Sequence, residues 1–300
     1  MNTEELHTLN TEKQNARSAN LDRMSAYEIV QLINSEDMTV AHAVSTVLPS
    51  IAEAAELIAE SMKKGGRLIY VGAGTSGRLA LLDASECPPT FGAEEDRVVA
   101  VIAGGDSAVS RAVEGAEDDQ AAGERKMRDL SLTVNDVVVG ITASGRAPFV
   151  IGALAYASEQ GARTVSLACN SPAQISTVAD VAIEVPTGPE ILTGSTRLKA
   201  GTAQKMVLNM LSTAGMVLAG RVYRNYMIGV KPLNRKLVDR ACRILAETAE
   251  VSYQEASGAL ESSGMNTMAA FLMLKKGLSA DEAVQRLREA GDSLREALGE

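Results

Sequence analysis

A chain of 300 residues with a formal net charge of −9 has room for one large domain or two smaller ones, and its acidity excludes general nucleic-acid binding. No apolar run reaches the ~18 residues of a membrane span, and no signal peptide is expected at the polar N-terminus. Cys87, Cys169 and Cys242 are scattered, as free thiols of a cytoplasmic protein are, and His7 and His42 have no metal-ligand spacing.

Residues 1–20 are polar and are expected to form an extended arm, either disordered or lying on a partner subunit. Residues 25–34 and 39–63 read as two helices. In the second, Val40, Val44, Val47, Ile51, Ala54 and Ile58 recur at helical spacing, and Lys63, Lys64, Gly65 and Gly66 form the stop. Residues 68–71 form an apolar strand. Gly72, Ala73, Gly74, Thr75, Ser76 and Gly77 then make a tight loop, and a helical pattern resumes at Leu79. Glycines let such a loop approach a ligand, and the helix start offers free N–H groups to an anion. No Gly-Lys-Ser/Thr follows, so this is not a Walker loop. The spacing matches G-x-G-x-x-G, but no acidic residue closes a second strand about 20 residues on, which argues against a dinucleotide.

Further strands are predicted at 98–103, 136–141, 164–168 and 181–185, with helices at 107–130 and 148–160. Continuous apolar strands alternating with helices indicate α/β architecture, a parallel sheet buried on both faces, with ligands at the strand C-termini. Residues 193–220 open with a hydroxyl- and cation-rich stretch containing Ser195, Thr196, Arg197, Lys199 and Lys205, and continue as a long helix. The hydroxyls could cap that helix or contact a ligand. After Pro232 the pattern changes to short amphipathic helices at 235–250, 253–262, 267–275 and 280–289, punctuated by Gly264, Gly277 and Gly291. The expected division is an N-terminal arm and helices over 1–50, an α/β sheet domain over 51–230, and a small all-helical domain over 231–300.

Two loops share a pattern. Ser76-Gly77-Arg78 follows the first strand, and Ser144-Gly145-Arg146 follows the third. On one sheet edge the pair could hold a phosphate and nearby hydroxyls. Arg78 and Arg146 could equally be surface cations. The candidate substrate-binding residues are Gly74, Thr75, Ser76, Gly77, Ser144, Gly145, Arg146, Ser195, Thr196 and Lys199.

The blocks LIYVGAGTSGRLALLDASECPPTFG, IAGGDSAVSRAVEGAED, DVVVGITASGRAPFV and TGSTRLKAGTAQKMVLNMLS resemble the sugar isomerase (SIS) domain family of phosphosugar-binding proteins. Within it they are similar to the N-acetylmuramic acid 6-phosphate etherase family, and the similarity runs from Thr11 and Glu12 to the C-terminal helices. The resemblance implies a five-stranded parallel sheet flanked by helices, a helical tail, a homodimer, and neither metal nor nucleotide cofactor. It implies cleavage of the D-lactyl ether of N-acetylmuramate 6-phosphate to N-acetylglucosamine 6-phosphate and D-lactate, in amino-sugar catabolism and cell-wall recycling. It places the two catalytic glutamates at Glu86, in DASECPP, and Glu117, in EGAED. Leu198 stands where methionine is common and Gly229 where an acidic residue is expected.

Without the resemblance, Glu86 could sit beside a helix end, Glu117 could belong to a solvated charge run, and Cys87 next to Glu86 could be a nucleophile or a buried structural thiol. The chemistry needs two carboxyls. A base removes the C2 proton of the open-chain sugar, an acid protonates the departing lactate oxygen, and water adds at C3. Glu86 is expected to be the proton donor and Glu117 the base. A non-catalytic phosphosugar sensor and a phosphosugar isomerase are the alternatives.

Overall fold

A computed structural model describes residues 9–299. Helices α1 (Ala26–Ser45) and α2 (Leu48–Lys63) precede the sheet. The expected break near residues 35–38 is absent. The chain breaks at Thr46 and Val47 instead, because Pro49 in the first turn of α2 cannot donate to a preceding turn. Strand β1 (Leu68–Gly72), α3 (Gly74–Phe91), β2 (Val98–Ile102), α4 (Ser107–Ser110), α5 (Gln120–Asp129), β3 (Val137–Thr142), α6 (Pro148–Glu159), β4 (Arg163–Ala168), β5 (Val181–Glu184) and α7 (Lys199–Leu218) follow. The five strands are all parallel, in the order β2-β1-β3-β4-β5.

Alternation along β1 splits the core. Leu68 and Tyr70 face α2, α3 and α7, whereas Ile69 and Val71 face α5 and α6 with Met127, Phe149 and Leu154. Val40, Ala43 and Val44 of α1 belong to the first of these cores, so the sheet draws on residues before position 51. Register aligns the loops. Gly72 pairs with both Ile102 and Ile141, which brings the ends of β1, β2 and β3 to one edge. At Gly77 a Cβ would sit 2.5 Å from Ile102, and at Gly72 one would sit 2.7 Å from the Gly77 nitrogen. Glycine at both positions is what lets α3 start against the sheet.

Two expectations change here. Residues 9–23 do not extend as an arm. They form three single turns on their own chain, and Asn170 ties them down by accepting from the Thr11 amide and donating to its hydroxyl. The earlier residues, including His7, lie outside the described ones. The helix expected over 107–130 is interrupted. Between α4 and α5 the chain is extended at Arg111, turns left-handed at Gly115 (φ 72°), and makes a single turn at Ala116–Asp118.

The tail contains α8 (Arg235–Ala249), α9 (Tyr253–Ser262), α10 (Thr267–Lys276), α11 (Ala280–Glu289) and the unanticipated α12 (Leu294–Leu298). Its core, centred on Phe271, Leu245 and Leu294, begins with Ile228 and Val230. Gly229 needs no acidic side chain for this join and could not hold one in place, because a Cβ there would lie 2.4 Å from the Phe91 carbonyl.

Candidate active site at the strand C-termini

Helix α3 begins at Gly74, and its first i→i−4 bond is made by Gly77 to the Ala73 carbonyl, 3.3 Å. The amides of Gly74, Thr75 and Ser76 therefore precede the ladder and can take an anion. Thr75 and Gly74 keep solvent contact, while Ser76 is buried and its Oγ lies 2.9 Å from Gln204 Oε1 on α7. On the neighbouring strand end, Ser144 Oγ accepts from the Arg146 amide at 3.2 Å and lies 3.2 Å from Thr142 Oγ1. Gly145, left-handed at φ 76°, packs against Ala173. Ser195 and Thr196 lie half-buried in the turn before α7, where the Thr196 carbonyl accepts from Gly201. Thr75 and Gly201 are close neighbours, so the first loop and the start of α7 face each other.

Arg78 serves the site indirectly. Its Nε donates to the Val109 carbonyl and its Nη2 to the Arg111 carbonyl, both at 2.9 Å. That clamp fixes the segment leading to Glu117. Gly74, Arg78, Ala108, Val113 and Glu117 help to line a cavity of about 150 Å³ above the α3 N-terminus. Glu117 reaches solvent, yet packing around its carboxyl, reinforced by the negative charges of Asp118 and Glu114, pushes it above the usual carboxylate range. A larger cavity of about 480 Å³ lies away from these loops, between Arg221, Lys231 and the tail residues Asn266 and Arg288.

Lys199 does not join the anion loops. It is 4% exposed, and its Nζ donates to Glu36 Oε2 at 2.7 Å. The N-terminus of α7 is likewise occupied: Glu190, fully buried, accepts from the amides of Lys199 and Ala200 at 2.9 Å. Burial outweighs those bonds and raises the Glu190 carboxyl. Sequence reasoning missed Glu36, Glu190 and Gln204: Glu36 and Gln204 meet partners more than a hundred positions away, and Glu190, only nine and ten residues before its two amide partners, lies outside the helix it caps and carries no local capping signature.

Glu86 is exposed on the outer part of α3, twelve residues beyond Gly74, a rise of about 18 Å. The expectation that one helix would grip both the phosphate and the ether of one sugar fails on this length. One turn before Glu86, Asp83 is buried and fully engaged: Tyr70, Asn209 and Ser212 all donate to its carboxylate. This knot fixes α3 against β1 and α7. Cys87 is 2% exposed and donates to the Asp83 carbonyl. Burial, with Asp83 nearby, pushes its thiol to about 12, so it is a structural thiol rather than a nucleophile.

The chain is 54% identical over 293 residues to the N-acetylmuramic acid 6-phosphate etherases of Yersinia pestis (strain Pestoides F) and Yersinia pseudotuberculosis (serotype O:1b, strain IP 31758), covering 98% of this chain and 99% of each relative. It belongs to the N-acetylmuramic acid 6-phosphate etherase family. Residues 50–158 match the glucokinase regulatory protein N-terminal SIS domain, and residues 117–214 match the SIS domain. Among solved structures, a phosphoheptose isomerase from Francisella tularensis is 16% identical, covers 64% of this chain and 98% of its own, and superposes with a TM-score of 0.49. In this etherase-family chain the five-stranded parallel sheet and its flanking helices are those of the SIS fold. Among the described residues no helix is long and apolar enough to cross a membrane, and no three metal-ligating side chains gather.

Proposed function

We propose that this protein is a carbon–oxygen lyase that cleaves the D-lactyl ether of N-acetylmuramic acid 6-phosphate, releasing D-lactate and N-acetylglucosamine 6-phosphate. The near full-length identity to the curated etherases carries the reading. In it, the phosphate sits on the free amides at the start of α3, with Ser76, Ser144, Ser195 and Thr196 around it. Glu117 removes the C2 proton of the open-chain sugar. The electron pair passes through the C1 carbonyl and expels the lactyl oxygen from C3, and Glu86 donates a proton to that oxygen. Water then adds at C3, and C2 regains a proton. The raised carboxyl of Glu117 supports the role of base, since a higher pKa makes the ionised form a stronger one. The scheme calls on no metal and no nucleotide.

The distance along α3 supports a site completed by a second copy, with Glu86 of one chain serving the loops of the other in a homodimer. Mixing Glu86→Gln with Glu117→Gln, each inactive alone, should then restore about a quarter of wild-type activity, from the one intact site of each mixed dimer. A mixture that stays inactive, or sedimentation of a fully active monomer, would remove the shared site. Activity itself is tested by lactate release from N-acetylmuramic acid 6-phosphate. Binding without lactate release would instead indicate a sensor.

A further inference from the structure

Gln204 is 1% exposed, and its side chain holds one of two buried polar atoms without a partner among the described residues. Its Oε1 accepts from Ser76 Oγ at 2.9 Å, while its Nε2 is enclosed and donates to nothing. An orphaned buried donor is costly, about 1–3 kcal/mol, and calls for a physical reason. The same bond also commits the only proton of Ser76 to the protein interior, which leaves the hydroxyl unable to donate to a phosphoryl oxygen.

A half-turn of the amide about its Cγ–Cδ bond relieves both conflicts. Nε2 then donates to Ser76 Oγ, and the Ser76 proton is released toward the start of α3, where the free amides of Gly74 and Thr75 stand. The atom left without a partner becomes a carbonyl oxygen, which proteins tolerate better than a bare N–H. The two orientations fill the same space, so the choice between them falls to whatever Ser76 faces.

We propose that Gln204 is a positioning residue that makes Ser76 a hydrogen-bond donor to the phosphoryl group of the substrate. Substrate binding selects the orientation in which Nε2 donates, and a relay from Gln204 through Ser76 reaches the anion. The inference rests on the assignment of Ser76 to the phosphate given above. It differs from a mere tie between α3 and α7, which would affect stability and leave the phosphate unaffected.

A double-mutant cycle on the full-length protein decides between them, with KM and kcat for N-acetylmuramic acid 6-phosphate as readouts and melting temperature as the check on folding. Ser76→Ala and Gln204→Met should each raise KM about tenfold, the size of one hydrogen bond to a charged group, with kcat within about threefold of wild type. In the double variant KM should stay within about twofold of Ser76→Ala, because the relay has one outlet. Gln204→Glu, the same shape but able only to accept from Ser76, should raise KM beyond Gln204→Met. It also serves as the test if the methionine variant does not fold. Wild-type KM in both Gln204 variants, or effects that multiply in the double variant, would overturn the proposal while leaving the phosphate site standing. Wild-type KM in Ser76→Ala would instead overturn the reading of Ser76 beneath it.

Discussion

The two edges of one sheet are built to opposite rules. At the N-terminal edge, Asp136 takes the backbone amide, Nε and Nη2 of Arg67 and the amide of Thr133, and the second Nη2 proton is shared by the Leu130 and Ser131 carbonyls. The buried carboxylate and the guanidinium there are matched to each other within the chain. At the C-terminal edge the free amides of α3, the Ser144 turn and the Glu117 carboxyl face solvent or a small cavity, and the charges that shift Glu117 are the like ones of Asp118 and Glu114. Paired groups raise stability, and groups left with unmet bonding capacity are what a substrate can use.

The largest effects should follow from removing the carboxyl of the open edge and the one proposed to reach it from the partner copy. Glu86→Gln and Glu117→Gln should each fold and bind substrate, yet lower kcat by about 100- to 10,000-fold, the usual worth of a general acid or base. In heavy water the wild-type reaction should place deuterium at C2 of the product sugar, and labelled water should put its oxygen at C3. Glu86→Gln should retain slow C2 exchange and Glu117→Gln should not. Labelled oxygen in the lactate would mean displacement at the lactyl carbon and would end the elimination scheme.

Breaking the closed edge should do the reverse. Asp136→Ala leaves Arg67 without its buried partner and should cost about 3–5 kcal/mol of stability, read by denaturant unfolding. The KM of the folded fraction should stay within about twofold of wild type. Burial alone would raise the Asp136 carboxyl, but the bonds from Arg67 and Thr133 overcome it and hold it below its ordinary value. A group depressed on folding adds stability above its unfolded pKa and loses it as pH falls through its folded one. The wild type should therefore lose stability on acidification below the ordinary carboxylate range, and Asp136→Asn should flatten that loss.

A change of about tenfold in KM, with kcat near wild type, is expected for Ser144→Ala if the turn its hydroxyl orders holds the phosphate as proposed. An unchanged KM would limit Ser144 to a structural turn. The smallest effect concerns pH. The acid limb of kcat/KM should lie above the ordinary carboxylate range, because crowding and the charges of Asp118 and Glu114 oppose ionisation of Glu117. Removing either charge, in Glu114→Gln or Asp118→Asn, should move that limb down by less than about one pH unit. An upward shift would show that another group controls it.

Much of this contrast was legible in the residues themselves. The strands could be read because each is an uninterrupted apolar run between turn residues, and the loops because Ser-Gly-Arg recurs after two of them. Tyr253–Ser262 and Ala280–Glu289 match the ranges expected from their amphipathic pattern, and each starts after a serine that makes a capping box. The interruption between α4 and α5 was not read from the sequence: Ala, Glu and Arg recur through residues 107–130, Gly115 alone does not fix a break, and the clamp that holds the loop open comes from Arg78, on another element.

Sequence by itself determined what depends on neighbours a few positions apart: the strand and helix pattern, the glycine-tight start of α3, the change to a helical tail, and through its long motifs the family. Tertiary structure alone decided where the charges went. Lys199 looked like a cation offered to a phosphate, but α1 buries it against Glu36, 163 residues away. Glu190 fills the helix start that seemed open, Gln204 governs the hydroxyl of Ser76, and the length of α3 parts Glu86 from the loops it was expected to serve. A side chain's type is local, whereas its partner and its distance from a ligand arise only when remote elements pack.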